Sequence, residues 1–384
     1  MPRILVVNNI PSPYNDALFA CLAGQAGVQL RVAYCASQEQ NRSWRLPRDK
    51  GYDYLVMKGR SFAGSAHLNP GVLGVIRRFR PDVAVLSGSY TMPTMQLAAA
   101  VLRAGRVPWV YWSEELGLEP VPLLRRVARR TLRRTLLAAH GVLAIGSRAG
   151  RSYRRIGVPP ARIADFRYYA DVARFRTPPA ERDRARAEVR AALGIDAGAL
   201  VFLYCGQMIA RKGVDTLLGA HALLRREGVE ATVVLAGDGP EQGALARMAG
   251  ELGTADAARF TGFVQPDELP RLFAAADAFV LPSRREGWGV VVHEAMAAGL
   301  PVIASDQVNA AVDLVAQGES GWLFPAGDAE TLAARMREFC GHPDRQAVGA
   351  NARAVAEREA PERMAPRLVS LLGATMAGED LCSR

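Results

Sequence analysis

A chain of 384 residues is too long for one ordinary hydrophobic core, so two domains are expected. With 49% hydrophobic and 22% charged residues it is not a disordered or fibrous chain, and its net charge of +10 favours anionic partners without separating nucleotide, nucleic acid and lipid head group. No uncharged apolar run reaches the roughly 18 residues of a membrane span, and the start PRILVV lacks the apolar core of a signal peptide, so a cytoplasmic location is the expectation.

Ile4 to Val7 is a continuous apolar run, as in a strand buried on both faces of a parallel sheet. It empties into a loop before an expected helix at Asn15 to Ala23. Loops at strand C-termini form the ligand crevice of an open α/β sheet, so Ser12, Tyr14 and Asn15 are candidate site residues; a capped turn explains them equally well. Leu30 to Tyr34, Val83 to Ser87 and Trp109 to Trp112 repeat the strand pattern, alternating with helices expected at Val72 to Phe79 and Met95 to Ala104. The strand at Val110 runs into Glu114 and Glu115, where such a sheet presents its ligand, although acids after a strand also occur as plain surface.

Leu123 to Ala139, LLRRVARRTLRRTLLAA, puts Arg125, Arg129 and Arg133 on one helical row with Arg126, Arg130 and Arg134 beside them. Such a strip suits an anionic membrane surface; a solvated face and nucleic acid are the rivals, the latter disfavoured because no aromatics interleave for stacking. Val142 to Ile145 is another strand. From Arg176 to Arg190 paired prolines and dense charge read as a linker running into a helix, giving domains over 1–175 and 176–360 and a C-terminal helical segment over 361–384 that returns to the first domain, with Pro361 and Pro366 interrupting its helix pattern.

A second alternating series starts with Leu200 to Tyr204. That strand meets Gly206, Gln207, Met208, Ile209, Ala210, Arg211, Lys212 and Gly213 before a helix from Asp215. Glycines at a turn and two adjacent cations at a helix entrance form a candidate phosphate cradle, unless these are surface cations; the Walker pattern is absent. Strands follow at Thr232 to Ala236, Phe260 to Val264, Asp277 to Pro282 and Val302 to Ser305.

Arg284 to Asp306, RREGWGVVVHEAMAAGLPVIASD, is a glycine-bracketed loop feeding a helix. Glu286 stands before Gly287, Trp288 and Gly289, and Glu294 lies inside the helix. Unpaired N–H groups at a helix start attract an anion, and a carboxylate accepts a hydrogen bond from a sugar hydroxyl, so the pairing suggests a phosphorylated sugar. A solvated turn with two surface acids fits the local sequence as well. His293, among apolar neighbours, is expected to be a packed or hydrogen-bonded histidine.

With GQMIARKGVD, AGDGP, FTGFV, the E-x7-E pair with EAMAAGLPVIASD, and GESGWLFPAGD in this order, the chain resembles the retaining glycosyltransferases of family 4. The resemblance implies an α/β fold of two facing Rossmann-like domains, GT-B, with a central cleft. It implies a hexosyltransferase that retains anomeric configuration; with the basic helix at Leu123 to Ala139, a cytoplasmic enzyme peripheral to the inner face of the membrane is the expectation. A nucleotide-diphosphate sugar is its co-substrate; neither a further cofactor nor a metal is expected, and no D-x-D occurs. Lys212 would hold the diphosphate, with Arg211 assisting because Gln207 stands where relatives often carry arginine. Glu294 would grip the ribose, Glu286 and the amides of Gly287 to Gly289 the sugar, and Gly206 and Val264 would complete the donor site. Glu114 falls near a position where many relatives have a histidine after a strand, placing it on the acceptor side and among the catalytic candidates.

The expected acceptor is an envelope glycan or glycolipid intermediate, lipid-linked; a small natural product is the alternative. From other classes, an epimerase would need no acceptor, and a non-catalytic nucleotide-sugar-binding protein would bind without turnover. No nucleic-acid partner is expected.

Overall fold

A computed structural model describes residues 1–38, 49–62, 66–117 and 123–382, without the side chains of 123–128. The chain forms two compact units, Met1–Tyr169 together with Pro361–Arg384, and Ala170–Ala360.

The first unit holds β1 (Arg3–Asn8), β2 (Gln29–Tyr34), β3 (Tyr54–Val56), a hairpin of β4 (Arg60–Phe62) and β5 (Ala66–Leu68), then β6 (Val83–Ser87), β7 (Trp109–Ser113), β8 (Gly141–Ala144) and β9 (Ile163–Asp165). Seven of these form one parallel sheet in the order β3-β2-β1-β6-β7-β8-β9. Its central strands are apolar throughout because helices cover both faces: Leu5, Val7, Leu86 and Tyr111 pack with Val75, Phe79 and Leu102 in one buried cluster.

The second unit holds β10 (Leu200–Cys205), β11 (Ala231–Ala236), β12 (Ala258–Gly262), β13 (Ala278–Leu281), β14 (Val302–Ser305) and β15 (Gly321–Phe324), ordered β12-β11-β10-β13-β14-β15 and parallel throughout. Counted from its own first strand this is the 3-2-1-4-5-6 order of a Rossmann sheet. The order reverses between β10 and β13, and in the first unit between β1 and β6. Crevices beyond the carboxyl ends of the strands at these points are where such sheets bind ligands.

Several elements differ from the sequence reading. The strand expected at Phe260 to Val264 runs Ala258–Gly262, so Val264 stands on the loop beyond it. The prolines expected to break the C-terminal pattern instead belong to one helix, Pro361–Ala377; Pro361 opens it, where a missing N–H costs nothing, and Pro366 is carried inside. β3, the β4–β5 hairpin, β15 and the helices Ala329–Cys340 and Arg345–Arg358 had no counterpart in that reading. Three-residue strands are too short to show a period.

Candidate functional site

The loop after β10 and the loop after β13 are joined although about seventy residues separate them. Arg284 N–H donates to the Arg211 carbonyl at 2.8 Å, Arg211 donates to the Arg285 carbonyl at 3.1 Å, and Arg284 donates to the Ala210 carbonyl at 2.8 Å. The Arg284 guanidinium also grips Asp215 in a two-pronged pair at 2.9 and 2.6 Å. Burial raises the Asp215 carboxyl, but hydrogen bonding and charge from Arg284 outweigh it and hold it below the ordinary value. Ser283, Arg284 and Asp215 therefore build the site, and sequence reasoning missed all three because nothing local announces a pairing at that distance.

Inside this frame Lys212, 8% exposed, makes an ion pair with Glu286. Ser283 donates to the same carboxylate at 3.2 Å, and Arg211 stands 3.6 Å from its other oxygen. A buried ion pair of this kind is maintained only with further hydrogen bonds, which Ser283 supplies. The Glu286 N–H donates to Gln307 and Asn309 donates to the Gly287 carbonyl at 2.7 Å, which pins the Gly287–Trp288 turn over the buried Trp288 ring.

Gly289 caps the helix Val290–Ala297 with φ of 95° and no side chain; an added Cβ would stand 3.2 Å from the Glu286 side chain and 3.1 Å from Val308. Only glycine turns the chain there while leaving Glu286 in place. The helix carries Glu294, half-buried and without a hydrogen bond to its carboxylate among the described residues. Burial pushes that carboxyl up to about 7, opposed by the charge of Arg174 and reinforced by Asp171. Cys205, at the end of β10, is also pushed up to about 12 by burial, with the Glu294 charge adding and Lys212 opposing, so it stands as a thiol. His293 is 1% exposed; its Nδ1 accepts from the Ala170 N–H at 2.9 Å and its Nε2 donates to the Ala356 carbonyl at 3.1 Å, a structural role that fixes the tautomer.

Gly206 and Gln207 lie on the same loop as Lys212, held against the loop after β11 by Gly206 N–H to Ala236 at 2.9 Å and Met208 N–H to Asp238 at 2.6 Å. Val264 is half-buried on the loop after β12. Arg211, Lys212, Glu286 and Glu294 thus stand at or near the carboxyl ends of β10 and β13, the reversal point of the second sheet.

The first unit has a cavity of 420 Å³ at its own reversal point, lined from the loops after β1, β6 and β7. Tyr14, Asn15 and Glu114 line it; Ser12 does not, being 1% exposed and accepting from the Asn15 N–H at 3.4 Å as the helix cap. Glu115, Arg129 and Tyr168 also face this space, with Asn8 and Asn9, which the sequence reading passed over as loop. Among the described residues no group of three or more His, Cys, Asp or Glu is placed to hold a metal ion, and no helix is long and apolar enough to cross a membrane.

Residues 185–355 match the family of glycosyl transferases group 1, and residues 11–168 match the glycosyl transferase 4-like domain. The chain is 30% identical to the alpha-D-kanosaminyltransferase of Streptomyces kanamyceticus over 286 residues, 73% of this chain and 72% of that one. It is 33% identical to a GDP-mannose-dependent alpha-(1-6)-phosphatidylinositol monomannoside mannosyltransferase of Mycobacterium tuberculosis over 264 residues, 66% of each. Among solved structures, Anabaena HepE in complex with UDP shares the fold with a TM-score of 0.78 at 21% identity, over 97% of this chain and 100% of that one.

Proposed function

The chain belongs to the family 4 glycosyltransferases of the GT-B fold, enzymes that use a nucleotide sugar, and from that premise we propose that it moves a hexose with retention of configuration and without a metal ion. The observation that carries this reading is the Lys212–Glu286 pair beside Arg211. It sets a buried cation, suited to a diphosphate, against a carboxylate suited to sugar hydroxyls, so a nucleotide-diphosphate sugar engages both partners at once.

In the proposed reaction the acceptor oxygen bonds to the anomeric carbon as the bond from that carbon to the β-phosphate oxygen breaks. The acceptor proton passes to the departing phosphate on the same face. Lys212 and Arg211 offset the charge that develops on the leaving group, a task for which other enzymes use a metal. Glu294 holds the ribose hydroxyls, and Glu286 with the Gly287 to Gly289 backbone holds the hexose. Glu114 and the cavity of the first unit receive the acceptor, a hydroxylated ring of an envelope glycan or glycolipid intermediate; inositol-based acceptors in the names of relatives support a ring of this kind. The helix Leu123–Leu137 is proposed to bring the enzyme to an anionic membrane surface.

Nucleotide release across UDP-, GDP- and ADP-hexoses, with and without acceptor, tests the proposal. Lys212→Ala is expected to lower kcat/KM about a hundredfold, the loss of about 3 kcal/mol of leaving-group stabilisation, and Glu286→Ala by a similar factor. An α-linked product from an α-linked donor and insensitivity to chelator complete the expectation. Transfer left intact in both variants would remove this site from the reaction, and binding without release would mark a sensor.

A further inference from the structure

The two loops that carry Lys212 and Glu286 are fixed against each other at the backbone. Gly213, at φ of 65°, packs so closely that an added Cβ would stand 2.2 Å from the Pro282 carbonyl oxygen. The Lys212 N–H donates to the Ile209 carbonyl at 2.8 Å and the Glu286 N–H to the Gln307 carbonyl at 3.1 Å. Neither loop can carry its charge away from the other without breaking these contacts. Within this frame the Glu286 carboxylate is fully engaged: Lys212 and Ser283 both donate to Oε2, and Arg211 stands nearest Oε1. The Lys212 and Glu286 side chains are only 11% and 12% exposed.

The result is a phosphate cradle whose buried cation is already taken. Lys212 and Glu286 cancel, and Arg211, half-exposed, shares the same carboxylate. An anion that draws Lys212 away leaves the buried carboxylate with Ser283 as its close donor, and a buried charge parted from its partner is strongly unfavourable. An anion that leaves the pair intact meets the repulsion of Glu286 instead. The two halves of a nucleotide-diphosphate sugar differ in this respect. Its phosphates only accept hydrogen bonds, whereas its sugar hydroxyls also donate, so the sugar can replace Lys212 as donor to Glu286 while the lysine turns to the phosphates. A nucleoside diphosphate alone brings the anion without the replacement.

We infer that Glu286 is an internal competitor of the donor's diphosphate: it holds Lys212 until a hexose takes the lysine's place, and so selects the sugar-charged nucleotide against the nucleoside diphosphate left after transfer. This rests on the donor reading given above and adds a sign to it, because the residue that holds the sugar also weakens the binding of a nucleotide without one. The spent nucleotide is thereby helped to leave, and the carboxylate that binds substrate limits inhibition by product.

Calorimetry on the full chain tests this with UDP, GDP and ADP and with UDP-glucose, GDP-mannose and ADP-glucose, in the absence of acceptor, using whichever pair binds. Glu286→Gln keeps the size and one acceptor oxygen but releases Lys212. It is expected to tighten the nucleoside diphosphate at least about tenfold, while the hexose form tightens by less than about threefold or weakens. Ser283→Ala, which leaves the carboxylate more dependent on Lys212, is expected to shift the nucleoside diphosphate the other way, to about threefold weaker binding. Unchanged or weaker binding of the nucleoside diphosphate by Glu286→Gln would overturn the inference. So would an equal gain for both forms, the result for a carboxylate that merely repels any anion. Should the melting curve show that Glu286→Gln does not fold, Ser283→Ala decides, and its unchanged binding would overturn the inference. Failure of all six nucleotides to bind the parent chain would instead count against the donor reading, and the inference would fall with it.

Discussion

Glu294 is an acid whose fold works against its ionised form. Burial raises its carboxyl from 4.5 to about 7, and the nearby Arg174 only partly offsets this. The native carboxyl therefore keeps its proton between those values while the unfolded one loses it, so the stability this group contributes is full below pH 4.5 and is lost as the pH rises to about 7. Its proposed role has the opposite need, because the ionised form accepts from two ribose hydroxyls. Nucleotide affinity, measured by calorimetry, is expected to rise from about pH 6 to 8, and Glu294→Gln to flatten that rise. A profile that Glu294→Gln leaves unchanged would take Glu294 out of the ribose site. At this scale the sequence was informative about identity: the spacing from Glu286 to Glu294 and the adjacent cations were visible. It was silent on Ser283, Asp215 and Arg284, whose roles exist only once two loops meet.

Among the elements, the helix Pro179–Ala192 begins in the stretch that read as a linker, yet it is fastened to the second sheet. Arg190, 2% exposed, donates to the carbonyls of Ala197 and Ala199 at 2.8 Å and of Ala275 at 2.9 Å, and pairs with Asp277 at 2.8 Å. Asp277 accepts in turn from the Val201 N–H at 2.8 Å, so one side chain joins the helix to the starts of β10 and β13. Arg190→Ala frees the carbonyls of Ala197, Ala199 and Ala275 and leaves Asp277 with Arg186, at 2.6 Å, as its remaining arginine, so it is expected to cost about 1–3 kcal/mol, read as a fall in the urea midpoint. The basic helix Leu123–Leu137 is less uniform than its sequence. Arg129 donates to the Gly117 carbonyl at 3.2 Å and Arg133 to the Tyr90 hydroxyl at 3.4 Å, while Arg130 and Arg134 are exposed; the side chains of Arg125 and Arg126 lie outside the described residues. Two exposed arginines contribute about 2 kcal/mol at an anionic surface, so weak, salt-sensitive co-sedimentation with anionic vesicles is expected, reduced by Arg130→Glu with Arg134→Glu. Equal binding to neutral and anionic vesicles would remove the membrane proposal.

For the whole molecule, the chain leaves the first unit after Tyr169 and rejoins it at Pro361. The returning helix Pro361–Ala377 packs on the helix Pro13–Ala23 and on β6, and beyond it the Leu381 N–H donates to the Ala161 carbonyl at 2.8 Å. Leu368, Leu371, Leu372 and Leu381 are all 1% exposed or less. Four buried leucines stabilise by about 6–12 kcal/mol, comparable to the net stability of a domain. A chain ending at Ala360 is therefore expected to lose hydrogen-exchange protection in β1 and β6, or to aggregate; unchanged protection would show that the returning segment does not support the first unit.

Local sequence determined the alternation of apolar runs and helices, because strands buried on both faces need uninterrupted apolar residues, and with it the α/β class and the motifs of the second unit. Glycines and charges clustered at strand ends marked where ligands go. Only the tertiary structure decided which groups meet. Strand order put the loops after β10 and β13 side by side and so paired Lys212 with Glu286, and it gathered Asn9, Tyr90 and Glu114, from the loops after β1, β6 and β7, around one cavity. The reason is physical: hydrogen bonds and burial depend on distances in space, which a one-dimensional pattern carries only where partners are also neighbours along the chain.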